Sequence, residues 1–184
     1  MKTLIINNHT KHIEELVSLF PNSTVIKKEN IKSVETNNYD LLVISGGSNV
    51  PTVLRHAEQY FDEIQLIKNC SVPILGICLG SELITYVYGG ELQELPEGHN
   101  GSVVMKVKDL SLSEAVGSLE LGAQEGHRIS IKTLPEDFIS CAYSDHGIEI
   151  FRHVSKPIIG LQFHPELQKN EKLLNWIFNT LKVV

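Results

Sequence analysis

The chain has 184 residues, 42% hydrophobic and 21% charged, which is ordinary composition at the length of one domain and excludes intrinsic disorder, collagen-like repeats and coiled coil. The balance of 16 basic against 22 acidic residues gives a net charge of −6 with no long basic run, so nucleic acid is not expected as the main partner. No stretch approaches the roughly 20 apolar residues of a membrane span, and Cys70, Cys78 and Cys141 form no C-x-x-C pair, so no disulfide framework or zinc ribbon is indicated and a reducing cytoplasm is the expected setting.

Thr3–Asn8 reads as a buried first strand rather than a signal peptide, because the short apolar run turns polar at Asn7. Ile13, Leu16, Val17 and Phe20 follow at helical spacing. "TVIKK" is a second strand. Asp40–Ser45 is a third, ending at Gly46-Gly47, and a helix is expected from about Thr52 to Ile67. The apolar run Pro73–Ile77 predicts a buried parallel strand, and a helix from about Leu79 stops at Gly89-Gly90.

From Glu91 to about Phe163 the pattern changes to alternating strands such as "SVVMKVK", and Asp145-His146-Gly147 marks a hairpin turn. In the closing helix, Leu173, Leu174, Ile177, Phe178 and Leu181 form one apolar stripe with Trp176 off it. These elements predict a three-layer α/β/α domain over residues 1–184. Its central sheet is mostly parallel, with an antiparallel elaboration in the second half.

Three stretches carry chemistry. In "VPILGICLGSELI" a buried strand runs through Gly76-Ile77-Cys78-Leu79-Gly80 directly into a helix, a cysteine counterpart of the nucleophile elbow. The helix N-terminus behind Cys78 is expected to favour the thiolate, and the Leu79 N–H can face an oxyanion. "PIIGLQFHPEL" places His164 at the end of an apolar strand, with Glu166 two residues on, where its carboxylate can fix the imidazole. "LLVISGGSN" offers Gly46 and Gly47, whose backbone can approach a ligand; Gly47 and Leu79 would supply the two oxyanion donors.

Together and in this order, "SGGS", "GICLGSE" and "GLQFHPE" resemble the class I (triad) glutamine amidotransferases, whose members typically show "SGGP", "GICLGHQ" and "GVQFHPE". The resemblance runs from the first strand to the last helix. It implies a flavodoxin-like fold and a Cys78–His164–Glu166 triad that hydrolyses the side-chain amide of glutamine through a γ-glutamyl thioester. It implies an oxyanion hole from Gly47 and Leu79 and ammonia delivered to a partner synthase. No cofactor and no metal are implied. Length and "LPEDF" look most like the stand-alone amidotransferase subunit of GMP synthase, with the anthranilate and aminodeoxychorismate synthase subunits as close rivals.

The departures are specific. Ser81-Glu82 stand where the family has His-Gln, so an acceptor-only carboxylate replaces an amide close to the substrate. Gly46, Glu82 and Asn100 are the expected substrate contacts, although Glu82 could equally serve only as a first-turn carboxylate on the helix dipole. Ser48 replaces the proline of "SGGP". In "AQEGHRISIKTLP", His127 matches the histidine of a stretch that often faces the synthase, while the family's serine and aspartate are replaced by Gly126 and Ile129. Cys70 and Cys141 read as small buried hydrophobes. His9, His12, His56, His99, His146 and His153 lack metal-ligand spacing. Two other functions stay open: a self-contained hydrolase of γ-glutamyl amides, motivated by Glu82, and a non-catalytic regulatory module.

Overall fold

The computed structural model describes residues 1–183; Val184, the last residue of the expected domain, lies outside them. Its strands are β1 (Thr3–Asn8), β2 (Ser23–Lys27), β3 (Leu41–Gly47), β4 (Ile74–Ile77) and β5 (Glu91–Val107), then β6 (Glu120–Thr133), β7 (Phe138–Ser144), β8 (Gly147–His153) and β9 (Ile158–Leu161). The helices are α1 (Ile13–Leu19), α2 (Val53–His56), α3 (Phe61–Asn69), α4 (Leu79–Tyr88), α5 (Leu110–Val116) and α6 (Glu171–Leu181).

Among the described residues all nine strands join one sheet in the order β2-β1-β3-β4-β9-β8-β7-β5-β6. The first five are parallel, and their order is the doubly wound, flavodoxin-like one. The other four are antiparallel. The expected parallel centre and antiparallel elaboration are both present.

The apolar runs of the parallel strands fill both faces of the sheet. Ile5, Leu41, Val43, Leu75 and Ile77 pack with Leu16 and Phe20 of the α1 segment and Ile177 and Leu181 of α6. Leu4, Ile6, Leu42, Ile44 and Ile74 pack on the other face with Ile64 and Ile67 of α3 and Leu83 and Ile84 of α4. Each such buried aliphatic side chain contributes about 1.5–3 kcal/mol. The carboxyl ends of β1, β3, β4 and β9 therefore share one edge.

Four expectations are corrected. The helix expected over Thr52–Ile67 is two helices joined by a 3₁₀ turn at Ala57–Tyr60. The break lets Tyr60 enter the core fully buried, with its hydroxyl donating to the Pro51 carbonyl. The strand leading to His164 stops at Leu161, so His164 sits in the bend beyond it. Helix α5 adds to the expected elements: Asp109 caps its N-terminus by accepting from Leu112 N, and Gly117 ends it in the left-handed region at φ 74°. Trp176 is buried and donates from Nε1 to Ser111 Oγ at 3.0 Å, while Leu174 and Phe178 are only partly buried.

Candidate active site

Cys78 follows the last residue of β4 and caps α4, at φ 50° and ψ −110°. Such a sparsely populated, positive-φ conformation at a non-glycine residue costs on the order of 1–3 kcal/mol. Surrounding bonds hold it. Cys78 N–H donates to Leu161 O at 2.7 Å, and the Cys78 carbonyl accepts from Ser81 N at 2.9 Å and Ser81 Oγ at 2.7 Å. Ser81, where the family has histidine, thus braces the turn. The flanking glycines are sterically required. A Cβ on Gly80 would lie 2.1 Å from Ile44 O, and one on Gly76 would lie 2.6 Å from Gly80 O. Only bare backbone lets α4 start this close to the sheet.

His164 is buried, and its backbone N–H donates to Gln124 O at 3.0 Å, tying the bend to β6. Its Nδ1 lies 2.8 Å from Glu166 Oε1. A carboxylate oxygen accepts, so Nδ1 is the donor of this bond. Gly46 lies between the two motifs: a Cβ there would sit 2.8 Å from His164 Cε1 and 3.3 Å from Cys78 Cβ. Cys78 and His164 therefore converge on the same side of this glycine, in space that any side chain there would fill.

A cleft of about 840 Å³ opens over this edge, lined in part by Gly47, Cys78, Leu79, Glu82, Asn100 and His164. Gly46 and Glu166 are buried behind that lining. Gly46, expected as a substrate contact, thus lies directly behind the cleft surface, against Cys78 and His164. Asn100 is exposed on β5 at the rim, opposite Gly126. Ser48 Oγ accepts from Lys11 N at 3.1 Å and links two loops of the cleft wall, a bond that a proline could not make.

The electrostatics depart from expectation at Cys78. Burial pushes its thiol well above the usual range, and the charge of Glu82 adds to that; the Leu79 N–H pulls the other way. Burial thus favours the neutral thiol at Cys78 over the thiolate. Glu82 is itself buried, and burial raises its carboxyl to about 7 despite the bond from Gln162 Nε2 to its Oε1 at 3.2 Å. It switches charge within the neutral range, beside Cys78.

Sequence reasoning missed three contributors. His12 meets the His164 ring edge to face at 5.6 Å, and burial followed by the nearness of His164 lowers its pKa. Gln162 holds Glu82. Glu125, buried in β6, lies at the cleft wall with His99, His127 and His146 around it. "GLQF" contained the signal for Gln162; nothing local marked the other two.

The model of the "Glutamine amidotransferase class-I" family matches residues 3–184. The chain belongs to the class I glutamine amidotransferases, cysteine-dependent enzymes. It is 34% identical over 168 residues to a glutamine-hydrolyzing GMP synthase subunit of Methanococcus maripaludis, covering 90% of this chain and 82% of that one. To the protein of the same description in Methanosphaera stadtmanae it is 32% identical, covering 91% of this chain and 90% of that one. Among solved structures, a putative GMP synthase subunit from Thermoplasma acidophilum superposes with a TM-score of 0.84 at 23% identity. That match covers 99% of this chain and 94% of that one, and it shows the same fold.

Proposed function

We propose that the chain hydrolyses the side-chain amide of glutamine with Cys78, His164 and Glu166 and delivers the ammonia to a synthase subunit of the GMP synthase type. The observation that carries this reading is that one Cβ placed on Gly46 would touch both Cys78 and His164, so the two side chains share one side of that glycine, with Glu166 holding Nδ1. The similarity to glutamine-hydrolyzing GMP synthase subunits supports the choice of acceptor.

His164 Nε2 takes the thiol proton as Sγ attacks the amide carbon. The oxyanion is met by the backbone N–H groups of Gly47 and Leu79. As the tetrahedral intermediate collapses, His164 returns the proton to the leaving nitrogen and ammonia departs, leaving a γ-glutamyl thioester on Cys78. His164 then deprotonates a water that attacks the thioester, and glutamate and the thiol are regenerated. Glu166 keeps the imidazole in the productive tautomer and stabilises the imidazolium formed in both halves.

The raised thiol pKa fits a site that is slow alone and accelerates when a partner subunit reorders the cleft. Ammonia release from glutamine is therefore measured with and without a GMP-forming synthase subunit. Cys78→Ala should lower it at least about a thousandfold. Unchanged release in Cys78→Ala would overturn the triad. Full activity alone, unaffected by any synthase, would favour the second reading, a free-standing γ-glutamyl amide hydrolase whose distinguishing feature is the buried carboxylate of Glu82 beside Cys78.

A further inference from the structure

At the rim of the cleft, three imidazoles converge on one carboxylate oxygen. The pairing of β5 with β6 sets His99 opposite His127, and the turn between β7 and β8 brings in His146. Measured to Glu125 Oε2, His127 Nε2 lies at 3.1 Å, His146 Nδ1 at 3.3 Å and His99 Nε2 at 3.8 Å. The Glu125 side chain is fully buried. The rings of His99 and His146 lie 4.1 Å apart at their centroids, tilted by 38°.

Hydrogen bonding alone does not account for this arrangement. His127 Nδ1 lies 2.8 Å from Ile129 O, so His127 is fixed from both sides and holds Glu125 in place. His146 takes a second approach to the same oxygen. His99 Nε2 is then left buried without a hydrogen-bond partner, pointing at an oxygen too far away to accept from it. A buried polar atom without a partner is costly, and here it faces an anion flanked by a second ring nitrogen.

The spacing matches ligands around a metal. One ligand atom each from His99, Glu125 and His146 lies within 4.8 Å of the others. Around a tetrahedral cation with bonds of about 2.0–2.1 Å, neighbouring ligand atoms are about 3.3 Å apart. Small side-chain rotations close the remaining difference, since His99 and His146 are partly exposed. Imidazole with carboxylate is a donor set for zinc, nickel or copper rather than for calcium or magnesium.

We propose that His99, Glu125 and His146 form a binding site for a divalent transition cation of the zinc class. The site has three protein ligands and a fourth position facing the cleft. His127 is the positioning residue: its Nδ1 is fixed on Ile129 O, and its Nε2 orients the carboxylate, as partners of metal ligands do. Buried Glu149 lies nearby, its Oε1 accepting from Ser144 Oγ at 2.6 Å. The cation ties the paired strands β5 and β6 to the β7–β8 turn.

The test uses the whole chain, stripped of metal by a chelator. Zn²⁺ binding is measured by titration calorimetry, and Co²⁺ binding by the visible absorption of a tetrahedral complex. One Zn²⁺ per chain is expected, together with a higher melting temperature. His99→Asn and His146→Asn should each weaken binding about tenfold or more, while both variants melt like the metal-free parent. His56→Asn, at another histidine lining the cleft, should bind as the parent does. Cys78→Ala should also retain the site. Failure to saturate at one per chain, unchanged affinity in both histidine variants, or loss of binding in Cys78→Ala would overturn the proposal; the last would place the metal on the thiol.

Discussion

The parallel half of the sheet and the antiparallel half build the same cleft in opposite ways. In the parallel half the functional atoms are held by backbone. Cys78 and His164 are fixed by main-chain bonds at 2.7 and 3.0 Å, and Gly46, Gly76 and Gly80 leave no space for a Cβ. In the antiparallel half the cleft wall is made of side chains. His99, Asn100, Glu125 and His127 project from paired strands, and at Gly126 the backbone has ordinary room: a Cβ there would find its nearest neighbour at 3.5 Å. Chemistry that must be placed to fractions of an ångström is anchored in backbone, whereas side-chain walls leave identity free to vary.

The sharpest way to break this contrast is a pair of alanine substitutions in one cleft. Gly46→Ala should cut glutaminase activity about a thousandfold, equivalent to about 4 kcal/mol, by wedging His164 from Cys78. Gly126→Ala should stay within a few-fold. Steady-state kinetics, with circular dichroism to confirm folding, decides between them, and equal effects would remove the distinction.

Glu82 offers the next largest effect. Its folded pKa of about 7 lies above the ordinary 4.5, so the folded state holds the proton more tightly than the unfolded chain. The stability this brings is complete below about pH 4.5 and is lost as pH rises through about 7. The expected loss by pH 8 is about 3 kcal/mol. Glu82→Gln keeps an oxygen to accept from Gln162 and should abolish that slope in melting temperature. It also removes the charge that raises the Cys78 thiol, so its rate advantage over the parent should grow from pH 6 to pH 8. A parallel pH dependence in the two proteins would place the titration elsewhere.

Asp109 tests whether the antiparallel half has anchors of its own. Burial pushes this carboxyl up, but bonds from Ser111, the Leu112 N–H and Arg152 outweigh it and hold it low. Asp109→Ala should cost about 2 kcal/mol in denaturant unfolding while leaving glutamine turnover unchanged. The smallest effect belongs to Ser48→Ala, which removes the bond from Lys11 N and should cost about 0.5–1 kcal/mol. A rise in KM without a change in kcat would show that this bond shapes substrate binding.

The same contrast explains what the sequence made legible. The elbow, the strand-end glycines and the His164–Glu166 pair are short-range patterns, because the backbone that positions them is contiguous with them. β6 was hidden although its first ten residues alternate: Leu121, Ala123, Glu125, His127 and Ile129 all face inward. Its inward positions include Glu and His, so apolar periodicity fails where the buried face is polar. The histidine cluster was hidden because it draws on separated segments, and only strand register brings them together. The thiol's raised pKa was missed for a similar reason: the helix end is visible in "CLGSE", but the burial that outweighs it is tertiary.

The single tryptophan gives the molecule a built-in optical reporter. Trp176 lies in α6 and is hydrogen-bonded to Ser111 of α5, in the helical layer opposite the one that α4 enters. Its emission reads how α5 and α6 dock on the sheet, and the indole is not part of the cleft lining. A change in emission when glutamine, zinc or a synthase is added would therefore report strain carried through the sheet from one face to the other.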